Sequence, residues 1–191
     1  AMLIGLWVYD ELKFNHSFKD YEQIGLIYEN GKFNNEINTA QTIARPLEFE
    51  LRDNYNEYFN KIAVSNPQHE HSLKTGDIII KKEGIYAQPD FLEIFDIELI
   101  KGSKADYLNK INGIIISESV SKVLFADKNP IGQTIKVDNE DMMEVSGVYK
   151  DLPNNTSFAK LDFISSWDFF VANNEWVKNA TNQWQNISFK I

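Results

Sequence analysis

The chain contains no cysteine. That excludes disulfides, thiolate nucleophiles and thiolate metal sites, and it is compatible with an oxidising compartment. Arginine is almost missing: Arg45 and Arg52 are the only two among 19 basic residues, which face 28 acidic ones for a net charge of −9. Nucleic-acid backbones are tracked by clustered positive charge, so a nucleic-acid partner is excluded. No apolar run approaches the roughly 18 to 20 residues that cross a bilayer, so the chain as written is expected to span nothing. There is no internal repeat, no low-complexity linker, no G-x-S-x-G elbow and no dinucleotide glycine fingerprint, which disfavours serine-nucleophile and nicotinamide chemistry.

What is present is ordinary for a folded domain. With 191 residues, 43% hydrophobic and 25% charged, the chain suffices for one domain or two small lobes. Asp20 is placed to cap a short helical turn, and Ile24 to Tyr28 reads as a strand ending at Asn30-Gly31, a hairpin signal. Pro46 suits a first helical position, with Leu47, Leu51, Tyr55 and Tyr58 following at spacings of three and four. Ile62 to Val64 is a strand and Asn66 to Ser72 a polar loop; Ile78 to Ile80 and Ile85 to Ala87 read as strands joined by a turn at Lys81-Lys82-Glu83-Gly84. Asp90 and Glu93 have capping-box spacing at the head of a short helix. Irregular alternation with short turns argues for α+β lobes with mixed or antiparallel sheets and short helices.

The segment from Gly113 to Phe158 is the richest in local signals. An apolar run at Ile114, Ile115 and Ile116 meets Ser117, a good N-cap, after which Val120, Val123 and Leu124 recur at helical spacing up to Phe125. Asn129-Pro130-Ile131-Gly132 punctuates, Thr134 to Val137 reads as a strand, Asp138 to Asp141 as a polar turn, and Met143 to Tyr149 as a strand whose Gly147 suggests a bulge. Upstream, Ala87-Gln88-Pro89-Asp90-Phe91-Leu92-Glu93-Ile94-Phe95 precedes Leu99-Ile100-Lys101-Gly102, and near the start Trp7-Val8-Tyr9-Asp10-Glu11-Leu12 precedes Phe14, Ile27 and Tyr28. Taken in order, these pieces resemble the MacB-like periplasmic core domain, the extracytoplasmic part of FtsX-type ABC-transporter permeases. One departure is Ala126-Asp127, where the family often has glycine after the helix; Asp127 is able to take the left-handed conformation.

The resemblance implies a division that composition does not reveal. Residues 10–102 with 183–191 would form a first, porter-like lobe, and residues 103–182 an inserted second, sabre-like lobe. Residues 1–9 would be the residual end of a membrane helix or vector-derived sequence, since Met2 to Val8 is apolar and ends in the interfacial types Trp7 and Tyr9. The strand-like Trp184 to Ile191 stops without a turn, as a fragment would.

Candidates for chemistry have simpler structural explanations. Gly25 to Phe33 misses a phosphate loop, because five residues separate Gly25 from Gly31 and no hydroxyl follows Lys32. His69 and His71 would share a face in a strand but lack a third ligand, and Asp138-Asn139-Glu140-Asp141 lacks the glycine and distal glutamate of a calcium loop. No catalytic, metal or cofactor-binding residue is assigned and no cofactor is expected. Trp167, Phe169, Phe170 and Trp176 crowd an Asn-rich segment; they are read as core first, and as a partner-contact surface where they prove exposed. The resemblance implies a noncatalytic lever working with a cytoplasmic ABC ATPase, a second permease copy, and a periplasmic adaptor, lipoprotein or other protein cargo, in efflux, lipoprotein release or cell-wall hydrolase control. A secreted carbohydrate-binding or hydrolase domain and an extracytoplasmic sensor domain are the alternatives.

Overall fold

A computed structural model describes Tyr9, residues 11–103, Tyr107, and residues 110–178 and 183–191. The expected membrane-helix remnant at residues 1–9 lies, all but Tyr9, outside the described residues, as does part of each border of the expected inserted lobe.

The chain is an α+β protein. Strands β1 (Ile24–Leu26), β2 (Glu29–Phe33), β3 (Glu36–Ala40) and β4 (Ile43–Ala44) lead into helix α1 (Pro46–Asn54). Strands β5 (Lys61–Ser65), β6 (His69–Thr75) and β7 (Ile78–Ala87) precede helix α2 (Asp90–Ile94) and β8 (Leu99–Gly102). Strand β9 (Gly113–Ser117), helix α3 (Glu118–Phe125), β10 (Thr134–Val137) and β11 (Asp141–Tyr149) follow. Strand β12 (Phe163–Ser166), helices α4 (Trp167–Asn173) and α5 (Glu175–Lys178), and β13 (Gln183–Lys190) complete it.

One mixed sheet runs β1-β13-β5-β7-β12-β9-β11-β10-β6, with β4 added on β13 and β8 on β11. Because β6 also pairs antiparallel with β7, six strands from β7 round to β6 form a closed ring. Closure removes the open edges that a flat sheet would present. One core lies on this ring: Leu73, Ile114, Ile116, Ile135, Val145 and Phe163 meet Val120, Leu124 and Phe125 of α3, all buried. A second core, on the other face of β7 and β12, is built on Ile85, Ile115 and Ile164 and closed by an aromatic group in which Phe91, Phe95 and Phe158 lie with centroids 4.6–5.2 Å apart.

Local signals account for the β9–α3 unit. Ser117 Oγ accepts from Val120 N at 3.2 Å, capping α3 as its sequence predicts. The bulge at Gly147 is present: pairing with β9 shifts register between Val145 and Gly147. After α3 the positive-φ residue is Ala126 (φ 51°, ψ −122°) rather than Asp127, a backbone region that glycine adopts more readily than alanine.

Several expected turns fall elsewhere. Asn30-Gly31 lies inside β2, and the hairpin turns at Asn34-Asn35, both left-handed with φ of 49° and 66°. A two-residue turn of this kind needs φ above zero at both positions, which two asparagines supply as well as Asn-Gly does. Residues 69–72, expected as loop, open β6, and Lys81 to Gly84, expected as a turn, continue β7 unbroken; the actual turn is Gly76-Asp77. Gly84 belongs in the strand because the Phe163 ring from β12 occupies the space a side chain would need: a Cβ there would stand 2.2 Å from its Cε1 and Cζ. Helix α1 stops at Asn54 and a 3-10 turn covers Asn56–Tyr58. Asp20 makes no side-chain cap for the Tyr21–Gln23 turn and pairs with Lys190 at 3.2 Å. Asp90 is the first residue of α2, not its cap, and its carboxylate faces Lys61 Nζ at 3.4 Å.

Candidate functional site

The aromatic segment is positioned by Ser166, whose Oγ accepts from Phe169 N at 3.4 Å and starts α4. Helical spacing then turns Trp167 and Phe170 toward the sheet, where their rings stack at 5.6 Å. Phe170 lies 5.0 Å from the Tyr86 ring, and Phe169 is near-parallel to that ring at 6.4 Å. Trp167 is 3% exposed, within a core that includes Ile62, Val64, Tyr86, Val177 and Ile187. Phe169 and Phe170 are half-buried against it, whereas Trp176, on α5, is 52% exposed. Of the four aromatics named from sequence, Trp176 is therefore the one that offers most of its surface. Arg45 NH1 donates to Val177 O at 2.9 Å, which ties the start of α1 to α5, and its guanidinium sits 5.4 Å from the ring of the half-exposed Phe49. Arg45 and Phe49, which sequence reading missed, thus extend the surface around Trp176. Their types are those enriched at protein interfaces.

A polar network fastens α1 and α2 to β5. Glu48, 4% exposed, accepts from Arg52 Nε at 3.1 Å and from Gln88 Nε2 at 2.5 Å. Arg52 NH2 also donates to Ile62 O at 2.7 Å and Gln88 Oε1 at 2.8 Å, and Gln88 Oε1 accepts from Val64 N at 3.0 Å. Lys61 adds contacts to Asp90 and to Glu93 at 3.2 Å, and this pairing raises its pKa, chiefly through Glu93 and Asp90. A carboxylate that is buried and multiply bonded holds its partners in one geometry, because releasing any of them leaves charge desolvated.

His69 and His71 are placed on a strand, β6, not in a loop. His71 Nδ1 lies 2.6 Å from Asp138 Oδ2, and Ser72 N donates to Asp138 Oδ1 at 2.8 Å, so the β10–β11 turn is tied to β6. The His71 ring meets Phe163 at 5.4 Å and Tyr86 at 6.1 Å, edge to face. Burial opposes ionisation of Asp138, but the bonds from His71 and Ser72 outweigh it and hold its carboxyl below the usual range. Asp141 beside it is pushed up by burial and by Glu140 and Asp138. Among the described residues no group of three or more histidine or carboxylate side chains is gathered for a metal ion. Asp162 is raised by burial, against the opposing pull of Lys82 at 3.3 Å. Ser119 donates to Asp151 across the head of α3. Gly25 and Gly31 sit in separate strands, β1 and β2, so the glycines of the near-miss phosphate loop do not form one. No described helix is long and apolar enough to cross a membrane.

Comparison with known proteins assigns the fold. The sequence profile described as MacB-like periplasmic core domain matches residues 1–190. A search of curated proteins returned no match. Among solved structures, a domain from Porphyromonas gingivalis described as part of a permease superposes with a TM-score of 0.70 at 17% identity, covering 91% of this chain and 77% of its own. The periplasmic region of MacB from Actinobacillus actinomycetemcomitans gives 0.64 at 17% identity, covering 88% and 73%. The extracellular domain of the noncanonic ABC-type transporter YknZ from Gram-positive bacteria gives 0.63 at 14%, covering 87% and 82%. At such identities the superpositions speak for the fold; the profile match, over nearly the whole chain, speaks for descent. The chain belongs to the MacB-like periplasmic core domain family and is a periplasmic domain of a MacB/FtsX-like ABC-transporter permease.

Proposed function

We propose that this domain is a noncatalytic lever: it carries ATP-driven motion of the permease, produced with a cytoplasmic ABC ATPase, to a protein partner on the far side of the membrane. A lever must move as a body, and the observation that carries this reading is the continuity of the sheet. The β6–β7 hairpin shares its ring with β9 to β12, while β13 returns to pair with β1, β4 and β5. The division into a first lobe of residues 10–102 with 183–191 and an inserted lobe of 103–182 is part of the same proposal, with the common sheet coupling the two. A second permease copy would supply the surface against which the domain moves, and the region around Trp176, Arg45 and Phe49 is the surface offered to an adaptor, lipoprotein or cargo protein.

The test uses the full-length permease with its ATPase in lipid nanodiscs. Trp176→Ala and Phe49→Ala are expected to leave ATP turnover within about twofold while lowering partner-dependent transport or release at least fivefold. Equal loss of both activities, or no loss of either, would reject this surface as the point of transmission.

A further inference from the structure

Helix α1 commits one face to the fold and leaves the other to solvent. Leu47 and Leu51 pack against the core around Trp167, and Glu48 and Arg52 belong to the polar network. Helical spacing therefore turns Phe49, Glu50 and Asp53 outward together, and all three are exposed. The chain continues into the 3-10 turn, where Tyr58 N donates to Tyr55 O at 3.1 Å. Residues three apart eclipse in such a turn, so Tyr55 and Tyr58 fall on one side. Phe49 is 48% exposed, Tyr55 46% and Tyr58 63%, and Glu57 between the tyrosines is exposed as well. Residues 49–58 thus interleave three aromatic rings with three carboxylates that the core does not use.

The cations nearest in the chain are committed elsewhere. Arg45 donates to Val177 O, Arg52 to Glu48, Ile62 O and Gln88, and Lys61 pairs with Asp90 and Glu93. Glu50, Asp53 and Glu57 form no ion pair among the described residues. The rings are in a similar state. Phe49 has the Arg45 guanidinium 5.4 Å from its centroid, whereas no lysine or arginine of the described residues is seated over Tyr55 or Tyr58. Aromatic faces attract cations, and adjacent carboxylates add to that attraction.

We infer that residues 49–58 dock a positively charged segment of a partner protein, its lysine or arginine side chains over Tyr55 and Tyr58 and beside Asp53 and Glu57, its apolar side chains against Phe49. Charge selects this occupant. Nucleic acid and anionic lipid surfaces are repelled by the same carboxylates. A second copy of this chain carries a net charge of −9, and both of its arginines are engaged within the fold. A metal ion finds no gathered set of ligands among the described residues. This docking rests on the reading of the same side of the domain as the lever's partner surface, which shares Phe49, and names the chemistry that partner carries.

The experiment is a two-dimensional ¹H–¹⁵N titration of the 191-residue chain with acetyl-Lys-Leu-Ala-Arg-Leu-Ala-Lys-amide. Acetyl-Gln-Leu-Ala-Gln-Leu-Ala-Gln-amide, phosphatidylglycerol vesicles and maltohexaose serve as comparison probes. Saturable shifts centred on residues 49–58 are expected with the cationic peptide, at an affinity at least tenfold above that for any comparison probe and weakening as salt is added. Tyr58→Ala should weaken binding at least fivefold, and Asp53→Asn with Glu57→Gln at least tenfold. These exposed side chains support no core, so the rest of the spectrum should stay that of the parent. Glu36→Gln with Asp77→Asn removes two exposed carboxylates from other elements and should leave affinity within about twofold. Shifts that do not saturate, an equal response to the neutral peptide, tighter binding of the vesicles or the sugar, or an equal loss in the Glu36 and Asp77 variant would each overturn the assignment. Peptide binding here with unaltered transport in Phe49→Ala would reject the lever's contact and leave this site standing; lost transport without peptide binding would reject the cationic partner alone.

Discussion

Replacing Gly84 by alanine tests the packing that joins β7 to β12. A Cβ at this position stands 2.2 Å from Cε1 and Cζ of Phe163 and 2.5 Å from Cδ1, all ring atoms of a fully buried side chain. The ring must move by more than an ångström to reach ordinary contact, and it is fully buried in the core that holds Leu73, Ile116 and Val145, so its neighbours must move with it. Overpacking of this kind costs about 1–3 kcal/mol, and the closeness of this contact places Gly84→Ala at about 2–3 kcal/mol. For a chain of this size that lowers the melting temperature by about 4–12 °C. Phe163→Leu withdraws the ring atoms at a cost on the order of 1 kcal/mol, less than the ~3–5 kcal/mol of full truncation. Combined, the two substitutions should be less harmful than their sum by about 1 kcal/mol, because each relieves the other. Urea unfolding of the four proteins gives the cycle directly. A Gly84→Ala variant within about 0.5 kcal/mol of the parent, or strict additivity in the double variant, would refute the reasoning.

Other predictions follow from the same contacts. Arg52→Met leaves the nearly buried Glu48, among the described residues, with Gln88 alone as a hydrogen-bonding side chain; urea unfolding should show a loss of about 2–3 kcal/mol, below the ~3–5 kcal/mol for a fully buried pair because Arg52 is partly exposed. Adding Glu48→Gln should recover most of it. Ser117→Ala removes the cap of α3 and should cost about 1 kcal/mol in thermal unfolding. Asp138 has a depressed folded-state pKa, so its contribution is present above the ordinary carboxylate value of about 3.9 and is lost as pH falls through the folded value. Accordingly the stability gap between parent and Asp138→Asn should be widest near neutrality and close toward pH 2–3; a gap independent of pH would contradict it. Trp167→Ala should destabilise by about 3–5 kcal/mol, whereas Trp176→Ala should stay within about 1 kcal/mol of the parent.

What the sequence disclosed, and what it withheld, follows the range of the interactions. The β9–α3 unit was legible because Ser117, the helical spacing of Val120 to Phe125, and Gly147 act over a few residues. Strand β6 was not, because His69-Glu70-His71-Ser72 is polar, and what holds it is pairing with β7 and the tie to Asp138, 67 residues from His71. Gly84 was read as a turn residue because glycine punctuates loops; its actual cause is Phe163, far along the chain. At the hairpin, Asn30-Gly31 and Asn34-Asn35 are both able to turn, and strand register chose the second. The aromatic segment was found by composition, but which tryptophan faces solvent depends on how α4 and α5 pack on Tyr86.

Motion of the domain as a body is the claim on which the functional account rests. The 191 residues of this domain contain no cysteine, so spin labels placed in it need only cysteines elsewhere in the permease and ATPase replaced. In the full-length permease with its ATPase, labels at the exposed Ile79 and Met142 positions report distance within one domain, and a label at Ile79 alone reports distance between two copies. Double electron–electron resonance, with and without ATP and vanadate, should leave the first distribution unchanged and displace the second by several ångströms. A second distribution that ignores nucleotide, or a first that shifts with it, would contradict the lever.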